Sequence, residues 1–178
     1  VAALAPRHPL YRRLRQELAR YRALDAAGGW PMIDPGPNLR VGMTDARVPM
    51  LRRRLAATGD LPPRDAAATG ERYDSALAAG LARFQARLGL APDGVLGVRS
   101  RAELNVAPAA RIKALRVNLE RGRWVLPVMG DTLVTVNVSA FEAYFLRGDS
   151  VAWAGRAVVG EPFQQTPEFQ ANLTYLVL

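Results

Sequence analysis

Residues 84–105 read FQARLGLAPDGVLGVRSRAELN, and the reading of this stretch decides the fold. An apolar stripe stops at Gly89, Asp93-Gly94 is a strong turn signal, Gly97 is a second backbone-permissive point, and VRSRAEL begins a short helical run. Just upstream, Asp74 is placed to cap a helix whose Leu77, Leu81, Phe84 and Leu88 fall on one face, with Gly89 at its left-handed C-terminal position. Burying such side chains is worth about 1.5–3 kcal/mol each, whereas an exposed charge pair offers about 0–1 kcal/mol. The apolar stripe therefore sets the helix orientation.

Working outward, Asp45 is expected to cap an earlier helix with Val48, Leu51 and Leu55 as its buried stripe, Pro49 tolerated in the first turn and Gly59 as its stop. DLPPRDAAATGERY then reads as a loop, and Val98 and Leu104 close a three-helix unit. From Pro9, Leu10, Leu14, Leu18 and Tyr21 recur at three- and four-residue spacing until AGGWP, and the Pro- and Gly-rich WPMIDPGPNLRVG cannot continue that helix. After Pro108 a further amphipathic helix passes through Ile112, Leu115 and Leu119 and is expected to end near Gly122. The period then changes to two. Val134, Val136 and Val138, and then Phe141, Ala143 and Phe145, alternate with polar or opposite-face residues, Gly148-Asp149 separates runs, and Trp153 to Val159 and Leu173 to Leu178 read as further strands. LTYLVL stops without a turn or polar tail, so the protein is expected to continue beyond Leu178. The fold class is α+β. The expected domains are a helical scaffold at 1–39, a three-helix module at 40–106, a scaffold helix at 107–127 and the start of an antiparallel β-domain at 128–178.

Composition bounds the chemistry. The 178 residues carry a net charge of +8, almost wholly from arginine, and 49% of them are hydrophobic. A basic surface attracts phosphates, anionic lipids or carboxylate-rich polymers. There is no cysteine, and His8 is the only histidine, which leaves no thiol nucleophile and places the one imidazole in an N-terminal segment. No metal cluster, phosphate loop or spaced carboxylate pair stands out, so no cofactor and no metal are expected. No apolar run reaches the length of a membrane span, and membrane contact is expected only through a segment outside this chain. The chain opens at Val1, so upstream sequence is expected to be missing and the lack of a visible leader says nothing of compartment. In LRRRL, Arg52, Arg53 and Arg54 fan over different helix directions with no interleaved aromatics, which argues against nucleic acid as a partner.

The stretch from Val41 to Asn105, with its Val48/Leu51/Leu55 helix, YDSAL, Phe84-Gln85, Gly89-Leu90, PDGVLG and SRAEL, resembles the three-helix peptidoglycan-binding domain of bacterial wall hydrolases and transpeptidases. Ser100 stands where that family usually has Thr. YRALDAAGGWP, GPNLRVGMTDARVPMLRRRLAATGD, RIKALRVNLERGRW, VNVSAFEAYF and VVGEPFQQTPEF extend the resemblance to periplasmic L,D-transpeptidases that carry such a module within a helical scaffold ahead of their catalytic domain. Gly122, where the family tends to have Trp, and Ser139, where it has Pro, are departures expected to loosen local packing. The resemblance implies a periplasmic location in a Gram-negative envelope and peptidoglycan, both glycan strands and stem peptides, as the partner, with wall proteins as further partners. It also implies a parent Cys acyltransferase for 3-3 crosslinking, whose Cys and His would lie downstream. No catalytic residue is expected in this chain. The other reading, a wall-binding protein without transpeptidase activity, stays open.

The binding residues expected around the opening stretch are Arg83, Gln85, Arg87, Asp93, Arg99 and Arg101. Gln85 sits one position round the helix from Phe84, where it is expected to face solvent and reach an amide or acetamido group. The four arginines offer forked donors to stem-peptide carboxylates. Against this stands a structural reading: Asp93, Gly94 and Gly97 as turn geometry with the glycines at positive φ, Phe84 as core, and the arginines as a solvated helix face.

Overall fold

The computed structural model describes residues 6, 8–148, 150–161, 163–167, 171, 172 and 174. They fall into two compact units, Val1–Pro127 and Val128–Leu178. Six helices form the first: α1 (Pro9–Ala26), α2 (Val48–Ala57), α3 (Pro63–Ala66), α4 (Ser75–Arg87), α5 (Val98–Leu104) and α6 (Pro108–Val125).

Helix α1 starts where His8 Nδ1 accepts from the Leu10 amide at 3.2 Å and Pro9 occupies the first turn. It packs against α6. Tyr11 and Leu18 are its buried residues, with Leu14 and Tyr21 half-buried on the same side, while Leu10 is exposed, so the expected stripe holds except that Tyr11 takes the place of Leu10. Helix α6 runs three residues past Gly122, because that glycine is needed inside the helix. A Cβ there would stand 3.2 Å from Leu126 Cδ1 and 3.4 Å from Tyr11 Cδ2, so Gly122 admits Tyr11 close to the α6 backbone. The departure at Gly122 leaves Tyr11 and Leu126 packed directly against the helix backbone.

One core holds α2, α4 and α5 together. Val48, Leu51, Leu55, Tyr73, Leu77, Leu81, Phe84, Leu96 and Leu104 are buried in it, joined by Ile33 and Leu39 from the stretch after α1. That stretch is fastened by polar contacts as well: the Asn105 side-chain amide accepts from Ile33 N at 2.8 Å and donates to Ile33 O at 3.0 Å. Leu39 and Leu96 exchange main-chain hydrogen bonds at 3.3 and 2.9 Å.

Several local expectations need correction. Asp45 does not cap α2: its Oδ1 accepts from the Arg47 amide at 2.9 Å and its carboxylate holds the Arg47 guanidinium at 2.8 Å, and the helix opens at Val48 with Arg47 at the N-cap position. The stretch read as a loop contains α3, since Pro63 pre-sets the first helical φ after an extended Pro62. Val98 is 66% exposed and closes nothing. Gly97 has φ −94° and serves as the extended N-cap of α5, so only Gly94 of that glycine pair, at φ +66°, takes the left-handed region. By contrast, Asp74 does cap α4, accepting from Leu77 N at 2.8 Å, and Gly89 lies at φ +69°.

The second unit is a three-stranded antiparallel meander of β1 (Thr132–Asn137), β2 (Glu142–Arg147) and β3 (Ser150–Arg156) in the order β1-β2-β3. Val134 pairs with Phe145, which pairs with Trp153, and the β2–β3 register shifts between Phe145 and Leu146. β3 lies three residues earlier than the Trp153–Val159 reading. The strand expected at 173–178 falls largely outside the described residues. The architecture is thus mixed α and β, six helices with a small antiparallel sheet.

Candidate functional site

Helix α4 offers an inner and an outer face, and the expected binding residues divide between them. Gln85 turns inward and is 2% exposed. Its Nε2 lies 2.8 Å from Asp93 Oδ1, 2.9 Å from Ser100 Oγ and 3.1 Å from Val95 O, and its Oε1 accepts from the Gly94 amide at 2.8 Å. One amide therefore ties α4 to the Asp93-Gly94 turn and to α5. Gln85 does not face solvent, because the returning turn closes over it and supplies more polar partners than water at one face could.

Asp93 takes part in the same lock. The Val95 amide donates to its Oδ1 at 2.9 Å, and this bond, then Gln85, holds its carboxyl below the usual carboxylate range. Tyr73, fully buried beneath the turn, donates its hydroxyl to Gly94 O at 2.7 Å. Burial pushes the Tyr73 phenol well above its ordinary pKa, so it stays a neutral donor. A Cβ at Gly94 would come within 2.9 Å of Ala78 O, which is why α4 and the turn approach so closely.

On the outer face Arg83 and Arg87, one turn apart, both engage Asp60. Arg83 Nε and Nη2 donate to the Asp60 carbonyl at 3.0 and 2.9 Å. Arg87 Nη2 pairs with Asp60 Oδ2 at 2.7 Å; partial burial works against its charge, but Asp60 prevails and holds its pKa above the ordinary value. Arg101 Nη1 donates to Gly36 O at 3.0 Å, and Arg99 is exposed with no polar partner among the described residues. The structure joins Gln85 with Asp93, and Arg83 with Arg87, but it gathers the six residues into no single constellation.

An open cleft of about 600 Å³ lies beside Arg83, walled by Ala56, Gly59, Leu61, Pro62, Pro63, Ala66 and Ala67. Sequence reasoning missed it because DLPPRDAAATG read as a plain connection. Besides that of Arg47, it also missed the burial of Arg52 and Arg54. Arg52 is 2% exposed and pairs with Asp74. Arg54 lies with its Cζ 3.7 Å from the Trp30 ring centroid and 5.5 Å from that of Phe84, donating to Leu104 O at 2.7 Å. Burial pushes the Arg54 guanidinium down to about 10, still charged at neutral pH. The only visible signal was aromatic: Trp30 and Phe84 are stacking surfaces for a guanidinium. Among the described residues no three His, Cys, Asp or Glu side chains gather as a metal site. No described helix is long and apolar enough to cross a membrane.

A comparison with curated proteins finds no match. Residues 44–104 match the family described as "Putative peptidoglycan binding domain", and the match spans α2 to α5, the turn that Gln85 locks and the cleft beside Arg83. Such a domain goes with a cell-wall-associated location and with peptidoglycan as partner. The chain thus carries a peptidoglycan-binding domain at residues 44–104.

Proposed function

We propose that this chain is the non-catalytic front portion of a periplasmic L,D-transpeptidase, in which the 44–104 domain holds wall peptidoglycan for 3-3 crosslinking by a catalytic domain that follows. The observation carrying the binding half is the family match, laid over a three-helix unit whose outer α4 face presents Arg83 and Arg87 beside an open cleft. The transpeptidase half rests on the resemblance of YRALDAAGGWP, RIKALRVNLERGRW and VNVSAFEAYF, and it is supported by the order of elements: helix α1, the domain, helix α6, then antiparallel strands. In that setting the helical pair α1/α6 presents the domain, and chemistry belongs to a Cys thiolate outside these residues. The role of Arg83, Arg87, Arg99 and Arg101 is to meet carboxylates of the wall polymer, while Gln85 and Asp93 shape the surface that carries them. A wall-binding protein without transpeptidase activity would use the same domain.

Retention of the chain by purified peptidoglycan sacculi at low and moderate salt tests the binding half. Specific binding survives moderate salt and falls in an Arg83→Ala/Arg87→Ala variant. Retention erased by salt equally in both proteins reduces the interaction to nonspecific charge attraction. A Ser-x-Gly-Cys motif with an upstream His in the following sequence separates the enzyme from the binder.

A further inference from the structure

The cleft formed by the end of α2, the turn after it, α3 and Arg83 of α4 has a composition that selects among the parts of peptidoglycan. Its walls are largely carbon from short or apolar side chains, Ala56, Leu61, Pro63 and Ala67 among them, and among the described residues Arg83 is the only charged one lining it. A sugar ring is held by stacking on an aromatic and by side-chain groups that both donate and accept, and the residues lining this cleft include none of these. Methyl-sized apolar walls with one fixed cation suit a short aliphatic group that ends in a carboxylate.

Arg83 is prepared for that task. With Nε and Nη2 both held by the Asp60 carbonyl, its guanidinium is fixed in direction, and among the described residues nothing takes Nη1. The Asp60 carboxylate does not compete for it, being paired with Arg87 at 2.7 Å. Among the described residues no acidic side chain lines the cleft.

We propose that this cleft takes the C-terminal alanyl carboxylate of a peptidoglycan stem peptide, its methyl against Ala56, Leu61 and Ala67 and its carboxylate on Arg83 Nη1. This inference rests on the wall-binding reading above. It makes the domain a reader of peptide ends, sensitive to whether a stem still carries its free terminus.

The test is an NMR titration of the whole chain with a synthetic stem tetrapeptide, as the free acid and as the C-terminal amide. The acid binds about tenfold more tightly than the amide, as expected of one charge-assisted pair. Arg83→Gln abolishes the preference for the acid over the amide, so that the two peptides bind equally. Ala67→Trp, which fills the cleft from the C-terminal end of α3 and leaves Arg83 and Asp60 unsubstituted, removes binding of both peptides, so the result does not depend on the folding of an Arg83 variant. Equal binding of acid and amide by the unaltered chain, or an acid preference that persists in Arg83→Gln, overturns the proposal. If sacculi retain the unaltered chain although it shows no acid preference, the cleft assignment falls and the wall-binding reading stands; if sacculi fail to retain it, both fall.

Discussion

Replacing Gln85 with Leu tests whether this residue is the lock of the domain. Leu keeps most of the volume and removes every polar contact. The Gly94 amide, buried with its glycine, loses its acceptor, at about 1–3 kcal/mol for an unsatisfied buried donor. The buried Ser100 hydroxyl loses a partner at about 1 kcal/mol, while the exposed Asp93 carboxylate and half-buried Val95 carbonyl turn to water at smaller cost. Burial of the leucine carbons returns about 1 kcal/mol. The net expectation is a loss of about 2–4 kcal/mol, and at about 4 °C per kcal/mol for a unit of this size the thermal midpoint falls by about 8–16 °C. Far-UV circular dichroism during heating and urea unfolding measures it. Ser100→Ala alone costs about 1 kcal/mol, and because the two residues touch, the double variant loses less than the sum. A Gln85→Leu loss below about 1 kcal/mol, or strict additivity with Ser100→Ala, refutes the lock.

Gly94→Ala combines a left-handed backbone with a Cβ 2.9 Å from Ala78 O, and is expected to lose about 2–4 kcal/mol in urea unfolding, more than the same change at exposed Gly42, whose Cβ would meet nothing. Tyr73→Phe leaves the Gly94 carbonyl without its buried donor and costs about 1–2 kcal/mol by the same measurement, with amide exchange quickening in the 93–96 turn. The Asp45 carboxyl, held down to about 2 mainly by the Arg47 side-chain hydrogen bond, ionises more readily folded than unfolded. Its stabilisation is therefore complete above about pH 4, the unfolded carboxyl range, and is lost as pH falls toward 2. Asp45→Asn should thus be destabilising at pH 6 and nearly neutral at pH 2, read from urea midpoints across that interval.

Local patterns made part of this domain legible. Asp74 before an i, i+3, i+4 stripe gives a capped helix, and Gly89 and Gly94 sit where only a left-handed residue closes the chain, so helix, stop and turn could all be read from neighbours in sequence. What stayed hidden depends on residues far apart. Gln85 looks solvent-facing on a helical wheel, and only the return of the 93–100 segment over it turns an exposed amide into a buried one. Arg54 looks like one charge in LRRRL, and only Trp30, twenty-four positions earlier, gives it a covered place. The cleft beside Arg83 was hidden for a related reason: its walls come from α2, α3 and α4 together, and no single window of sequence contains a concavity.

The fastening of residues 30–39 bears on where this domain can be cut. The family match begins at residue 44, yet Ile33 and Leu39 are 1% and 0% exposed and belong to the same core as Leu77 and Phe84. A fragment trimmed to residues 44–104 would uncover Leu96, strand Arg54 without its Trp30 face and lose Asn105 altogether. Shared ancestry and the unit of cooperative folding therefore have different borders here, and the smallest piece fit for a binding experiment begins before Trp30 and runs past Asn105.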